Sequence, residues 1–163
     1  MNRQAVNPYL PSWEYIPDGE PHVFNGRVYV YGSHDRFNAP IFCVNDYVCW
    51  SAPVEDLSEW RYEGVIYRKK QDPKNPLGYH LLFAPDVCQG PDGRYYLYYA
   101  FDFLGIMSVA VCDTPAGEYK FLGHIHSGDE EGEISFRLIP AFWQMMTGAC
   151  GCIPAFIMQC LLF

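Results

Sequence analysis

Two aspartates stand in matching sequence contexts that suit acid–base chemistry. Asp18 follows Pro17 and Asp86 follows Pro85, and each lies seven or eight residues before a Gly-Arg pair. Hydrolysis of a glycosidic bond uses two carboxyl groups, one protonated as the acid and one ionised to activate water or attack the sugar. The two aspartates are compatible with such a site, provided that the fold brings them together from 68 residues apart.

The elements that must position these residues are predicted to be strands. Short runs rich in Val, Tyr, Ile and Phe are separated by Gly, Pro, Asn and Asp over the first 126 residues, a pattern typical of antiparallel sheets. No stretch shows a sustained 3.6-residue apolar period with caps, so long helices are not expected. The runs are 27–31, 47–51, 62–67, 94–100 and 107–112.

An internal repeat organises these strands. Residues 26–31, GRVYVY, match residues 93–98, GRYYLY, at a displacement of 67, which also relates Asp35 to Asp102. A Pro turn and an aromatic stretch ending in Gly follow in both copies, at 49–64 and 111–123. This order predicts an all-β fold of four-stranded antiparallel units of about 60 residues, as in the blades of a β-propeller.

The composition narrows the class of partner. Aromatic residues make up 17% of the chain, and they favour strands and offer flat rings on which sugars stack. The net charge is −8, and the basic residues cluster only at 68–70, whereas phosphate backbones require extended Lys and Arg surfaces. Nucleic acid is therefore not expected as a partner, and a neutral carbohydrate is compatible.

The cysteines, the histidines and the N-terminus indicate a location and exclude some sites. Seven cysteines at scattered spacings form no zinc pattern, and the five histidines form no ligand triad. The opening MNRQAVNPYL has no apolar core of the kind that a signal peptide needs. We therefore expect reduced thiols, a cytoplasmic location and no metal site of this kind.

The chain changes character after His126. Residues 127–133 are acidic, and no charged residue occurs from 139 to 163. The apolar stretch is long enough for a membrane helix, but it contains Pro140 and Pro154 and has no adjacent Lys or Arg, so a membrane span is not expected. We predict a propeller domain at 1–126 and an atypical tail at 127–163, either frame-shifted or disordered.

Three segments resemble the family 43 glycoside hydrolases and occur in the order that is typical of the family. They are NPYLPSWEYIPDGEPHVFNGRVYVYGSHD at 7–35, WSAPVEDLSEW at 50–60 and FAPDV at 83–87. The resemblance extends over residues 7–126 and implies a five-bladed β-propeller of which about two blades are present. It further implies cleavage of arabinofuranosyl or xylosyl linkages with inversion at the anomeric carbon.

The resemblance also implies roles for individual carboxylates. The general base of the family is an Asp in a Pro-Asp or Asp-Pro setting, and Asp18 and Glu20 compete for that position. Asp18 is favoured because it matches Asp86 in the repeat and has the shorter, more rigid side chain, whereas Glu20 precedes Pro21. Asp86 in FAPDV is expected to orient the general acid and to raise the pKa of that acid by like-charge proximity.

Further residues are implied to bind the sugar or remain unassigned. Phe83 replaces the usual Trp and retains a flat ring for stacking, and His34-Asp35 is expected either to line the pocket or to cap a loop. No motif matches the general acid of the family, a Glu, because the acidic run containing Glu130, Glu131 and Glu133 is typical of a solvated surface. We therefore expect a truncated enzyme that is inactive by itself.

Two other functions stay open at this point. One is a carbohydrate-binding fragment without catalysis, and the other is a propeller fragment that serves as a protein-interaction scaffold. Two carboxylates at equivalent positions of neighbouring blades favour a sugar-binding site over a surface that binds other proteins. No organic cofactor is implied, and the resemblance admits a structural calcium ion without identifying its ligands.

Overall fold

The structure is a computed structural model that describes residues 7–101 and 106–125. These residues form β1 (Glu20–Phe24), β2 (Arg27–Tyr31), β3 (Tyr47–Pro53), β4 (Arg61–Tyr67), a 3-10 helix (Lys69–Gln71), β5 (Leu82–Gln89), β6 (Tyr95–Phe101), β7 (Met107–Cys112) and β8 (Lys120–Ile125). The all-β prediction is confirmed. Within these residues, no helix is long and apolar enough to cross a membrane. Asp102 and the tail lie outside them, so the division at residue 126 stays a prediction.

The strands form two antiparallel sheets in sequence order, sheet 1 with β1 to β4 and sheet 2 with β5 to β8. They are the two blades that the repeat predicts. Their first hairpins differ in length. Asn25-Gly26 joins β1 to β2 with positive φ at both residues, as a two-residue hairpin turn requires. Between β5 and β6, the backbone amide of Gly90 donates to the carbonyl of Arg94, which closes a turn of three residues, 91–93. This turn is one residue longer than the turn between β1 and β2.

The main core lies between the two sheets and is rich in tyrosine. Alternation along the strands turns Tyr29 and Tyr31 of sheet 1 toward Tyr95, Leu97 and Tyr99 of sheet 2, and all five are buried. The high aromatic content of the chain therefore serves packing first. Many of the rings that a composition argument offers for sugar binding are enclosed between the blades.

A buried hydrogen-bond network ties the linker between the sheets to both of them. Asp72, after the 3-10 helix, is fully buried and accepts from Tyr99 Oη at 2.7 Å, while His124 Nε2 lies 2.9 Å from its other oxygen. Because Tyr99 donates its only hydroxyl proton to Asp72, Tyr67 donates to Tyr99, at 2.6 Å. Burial raises the pKa of both phenols, which keeps them neutral donors.

The segment at 7–19 covers the face of sheet 1 that points away from sheet 2. Tyr9 packs on Trp60 and Trp13 on Trp50, with ring centroids 4.9 and 5.9 Å apart. The Glu14 side chain is only 4% exposed and accepts from Trp50 Nε1 at 2.9 Å. The N-terminal segment is therefore anchored to this face by ring packing and by one buried carboxylate.

Candidate active site

The first strands of the two sheets, β1 and β5, lie side by side and place a histidine against an aspartate. His22 Nε2 on β1 is 2.6 Å from Asp86 Oδ1 on β5. Asp86 is 1% exposed, and its Oδ1 also accepts the backbone amide of Val87 at 2.8 Å. Its Oδ2 is buried without a hydrogen-bond partner among the described residues. This oxygen is therefore free to accept a hydrogen bond from a group that enters the site.

The pairing register identifies the counterpart of Asp86 in sheet 1. Asp86 pairs with Tyr98, and Glu20 pairs with Tyr31. Tyr31 and Tyr98 are themselves related by the 67-residue repeat. Glu20 therefore occupies the position in sheet 1 that Asp86 occupies in sheet 2.

Asp18 lies outside β1 and is not the register counterpart of Asp86. It is exposed, sits two residues before β1 and has a φ of 54°, in the left-handed region. The match between the two Pro-Asp pairs did not account for the shorter turn between β1 and β2. Because the turn in sheet 1 is one residue shorter, equivalent positions on β1 and β5 are 66 residues apart, as Glu20 and Asp86 are, and not 68.

The structure thus brings together His22 and Asp86. Glu20 and His22 are two residues apart on β1 and so project from the same face of the strand, and Glu20 is partly exposed. His22 was not assigned a role from the sequence. The signal that could have found it is its spacing of two from Glu20, a candidate base, which puts both side chains on one face if the segment is a strand.

His34 and Asp35 act as loop anchors, which is one of the two roles expected for them. His34 Nδ1 faces the carbonyl of Asp46 and must donate to it, and His34 Nε2 lies 2.9 Å from Glu14 Oε1. Asp35 Oδ1 accepts the backbone amide of Cys43 at 2.5 Å. Both residues also line a shallow cleft of about 390 Å³, together with Trp13, Phe37 and Tyr62.

Phe83 lies three residues before Asp86 on β5 and is partly exposed. Its carbonyl accepts from Tyr47 Oη at 2.9 Å, and its ring lies 5.5 Å from that of Phe42. Phe42 is 53% exposed, and sequence reasoning missed it. No local pattern distinguishes it from other aromatic loop residues, because its proximity to Phe83 depends on the packing of the two blades.

Among the residues that the structure describes, no group of three or more His, Cys, Asp and Glu side chains could hold a metal ion. The carboxyl groups of the site are the source of chemistry on which a reaction can be built.

Comparisons with known proteins agree with this geometry. No protein-family model matches the chain. It is 71% identical over 129 residues to a xylosidase/arabinosidase from Thermoclostridium stercorarium, across 79% of this chain and 27% of that protein. It is 36% identical over 116 residues to xylosidase/arabinosidase 43A from Humicola insolens, across 64% and 34% of the two chains. It also superposes on a family 43 (subfamily 1) enzyme from Xanthomonas citri complexed with xylose, with a TM-score of 0.56, 27% identity, and coverage of 67% and 32%.

The two four-stranded blades place the chain in the class of β-propeller proteins. Within that class, the chain belongs to glycoside hydrolase family 43. It spans 27% and 34% of the lengths of the two curated relatives named above.

Proposed function

We propose that this chain is part of a glycosidase that hydrolyses xylosyl or arabinofuranosyl linkages of oligosaccharides or polysaccharides with inversion. The observation that carries the proposal is the contact between His22 and Asp86. His22 on the first strand of one blade contacts the buried carboxylate of Asp86 on the first strand of the next, and the other oxygen of that carboxylate has no partner among the described residues. The names of the relatives from Thermoclostridium stercorarium and Humicola insolens support the substrate class.

Glu20 is the general base in this proposal. An inverting glycosidase needs an ionised carboxylate that removes a proton from water as the water oxygen attacks the anomeric carbon. Glu20 is partly exposed, so water can reach it, and it is the register counterpart of Asp86. Asp18 remains the alternative base, although its position in an exposed turn holds its carboxylate less firmly.

Asp86 is the orienting carboxylate. His22 and the amide of Val87 hold its Oδ1, which leaves Oδ2 to accept a hydrogen bond from a sugar hydroxyl or from the general acid. The acid must protonate the leaving oxygen as its bond to the anomeric carbon breaks. We assign no residue of this chain to that step, and we propose that the chain by itself shows at most trace turnover, because loss of an acid costs about 10²–10⁴-fold.

The reaction as proposed needs no organic cofactor, since carboxyl groups and water supply every proton and nucleophile. We further propose a reducing, cytoplasmic location. Cys43, Cys49, Cys88 and Cys112, the cysteines within the described part of the chain, are all free thiols. Free thiols are what a reducing compartment maintains.

A chimera tests the assignment of function and base together. The 129-residue segment of the Thermoclostridium stercorarium enzyme that aligns with this chain is replaced by the present sequence, and turnover of aryl xylosides and arabinofuranosides is measured. We expect an active chimera in which Glu20→Gln lowers kcat by about 10²–10⁴-fold and Asp18→Asn has a small effect. Asp86→Asn should also reduce kcat strongly.

Three outcomes would contradict parts of the proposal. An inactive but folded chimera that still binds xylobiose would favour a carbohydrate-binding role without catalysis. A large loss in Asp18→Asn with a mild effect in Glu20→Gln would assign the base to Asp18. Robust turnover by the 163-residue chain alone, lost in Asp86→Asn, would show that the chain contains its own proton donor.

A further inference from the structure

We propose that Phe42 and Phe83 together form an aromatic platform for a sugar ring beside the candidate active site, and that Asp35 positions Phe42 in it. This inference rests on the proposed function. Its starting point is the ring pair itself. The two centroids lie 5.5 Å apart, one ring comes from the loop between β2 and β3 and the other from β5, and Phe42 remains 53% exposed.

Each ring is followed by a residue in a conformation that is unfavourable for its type. Cys43 has a φ of 54° and Ala84 a φ of 32°, and neither is glycine. Such backbone persists only where the surroundings enforce it, and it concentrates at functional sites. The same kind of strain directly after both rings indicates that their orientation is under constraint.

The constraint on Cys43 comes from Asp35. The carboxylate of Asp35 accepts the amide of Cys43, and its carbonyl accepts from Asn45 Nδ2 at 2.8 Å. The Cys43 side chain is buried, which fixes the chain immediately after Phe42. Asp35 therefore acts as a positioning residue through its Oδ1 atom and its backbone carbonyl.

The constraint on Ala84 comes from sheet 1. Its amide donates to the hydroxyl of Ser33, a fully buried residue just after β2, at 2.8 Å. Tyr47 holds the carbonyl of Phe83 from β3. The backbone around Phe83, three residues before Asp86 on β5, is thus held by contacts that cross between the blades, whereas the contacts that hold the backbone after Phe42 lie within the loop between β2 and β3.

A large apolar ring that is held rigidly and left half exposed is suited to stack on the apolar face of a sugar. The chain contains a matched control in the same loop. Phe37 is 77% exposed, but it belongs to the cleft that includes Trp13 and Tyr62 and stacks on Tyr15 at 6.1 Å. A comparison of variants at Phe42 and at Phe37 therefore distinguishes the effect of the platform from the effect of losing any exposed aromatic ring.

Titration of the 163-residue chain with xylobiose and with methyl α-arabinofuranoside, followed by NMR, tests the inference. We expect Phe42→Ala to weaken binding by roughly three- to tenfold, the effect of one lost aromatic contact. Phe42→Tyr should restore binding, and Phe37→Ala should leave it unchanged. Asp35→Ala should weaken binding although Phe42 is present, with loss of the nuclear Overhauser contacts between the Phe42 and Phe83 rings.

The outcomes separate this inference from the proposed function. Sugar binding by the parent chain that survives Phe42→Ala would overturn the platform and leave the glycosidase proposal intact. Loss in Phe37→Ala with no effect in Phe42→Ala would also overturn it and would move the sugar to the other cleft. No binding of either sugar by the folded parent chain would overturn the platform, and the turnover of the chimera would still test the glycosidase proposal separately. Preserved β-sheet circular dichroism in every variant is the control for folding.

Discussion

The two blades have the same strand order, yet equivalent positions in them serve different purposes. His22 in sheet 1 pairs with Tyr29, and its counterpart in sheet 2 is Cys88, which pairs with Tyr96. His22 reaches the carboxylate of Asp86, whereas Cys88 belongs to a buried apolar cluster with Tyr96. The repeat therefore determines where a side chain points, and the residue type at that position determines whether it packs or takes part in a site.

The faces of sheet 1 show the same division of purpose. One face packs against sheet 2 through Tyr29 and Tyr31, and the opposite face lies under the N-terminal segment with Glu14 against Trp50. Two kinds of contact thus stabilise one sheet, a blade-to-blade core and a covering segment. The variants below distinguish their contributions.

The largest expected effect comes from breaking the connection between the blades. Asp72→Ala removes a fully buried carboxylate and leaves Tyr99 and His124 without their shared partner. We expect a loss of about 3–5 kcal/mol in the free energy of unfolding, measured by urea denaturation. Asp113→Ala, at an exposed position in the loop after β7, is the matched control and should change it by less than about 0.5 kcal/mol. A small loss for Asp72→Ala would show that the linker contributes little to the association of the blades.

A second pair of variants compares the two kinds of contact at repeat-related positions. Leu97 is fully buried between the blades, and its counterpart Val30 is 3% exposed. Val30 packs under the N-terminal segment, since one of its methyl carbons is 3.1 Å from the position that a Cβ on Gly19 would occupy. We expect Leu97→Ala to cost about 3 kcal/mol and Val30→Ala about 2 kcal/mol, since the latter removes fewer atoms. If Val30→Ala has no effect in the same urea titration, the N-terminal segment is not a tight cover.

Glu14→Gln tests the anchor of that segment. The substitution keeps an acceptor for Trp50 Nε1 but removes the charge that faces His34 Nε2. We expect a loss of about 1–2 kcal/mol, the range for a partly buried charged hydrogen bond. Glu59→Gln, at an exposed position, should have no measurable effect on the same unfolding curve. Equal effects of the two variants would mean that the buried pair does not hold the segment.

The smallest effect is expected at the hairpin of sheet 2. Hydrogen bonds from Tyr96 and then from Arg94 lower the pKa of Asp92 to about 2, from an ordinary value of 3.8. Because the pKa of the folded state is depressed, the stabilisation is present above about pH 4 and is lost as the pH falls toward 2. Asp92 is exposed, so Asp92→Asn should cost less than about 1 kcal/mol at pH 7 and nothing near pH 2. A cost that persists at pH 2 would assign the effect to the turn conformation instead of the charge.

The sequence by itself determined the strands, the repeat and the family. Alternating aromatic and β-branched runs between Gly and Pro turns are local signals, so the predicted runs at 27–31 and 107–112 coincide with β2 and β7. The motif around Asp86 likewise lies within a short stretch of chain. Features of this kind can be read without knowing what packs against them.

Only the tertiary structure decided which residues meet. The match between Asp18 and Asp86 is wrong because register depends on turn length, and a turn one residue shorter placed Glu20 opposite Tyr31. His22 and Asp86 are 64 residues apart in the chain and meet because β1 and β5 become neighbours when the blades pack. Phe42 approaches Phe83 for the same reason. Contacts between blades depend on the relative placement of whole sheets, which no local pattern in the sequence specifies.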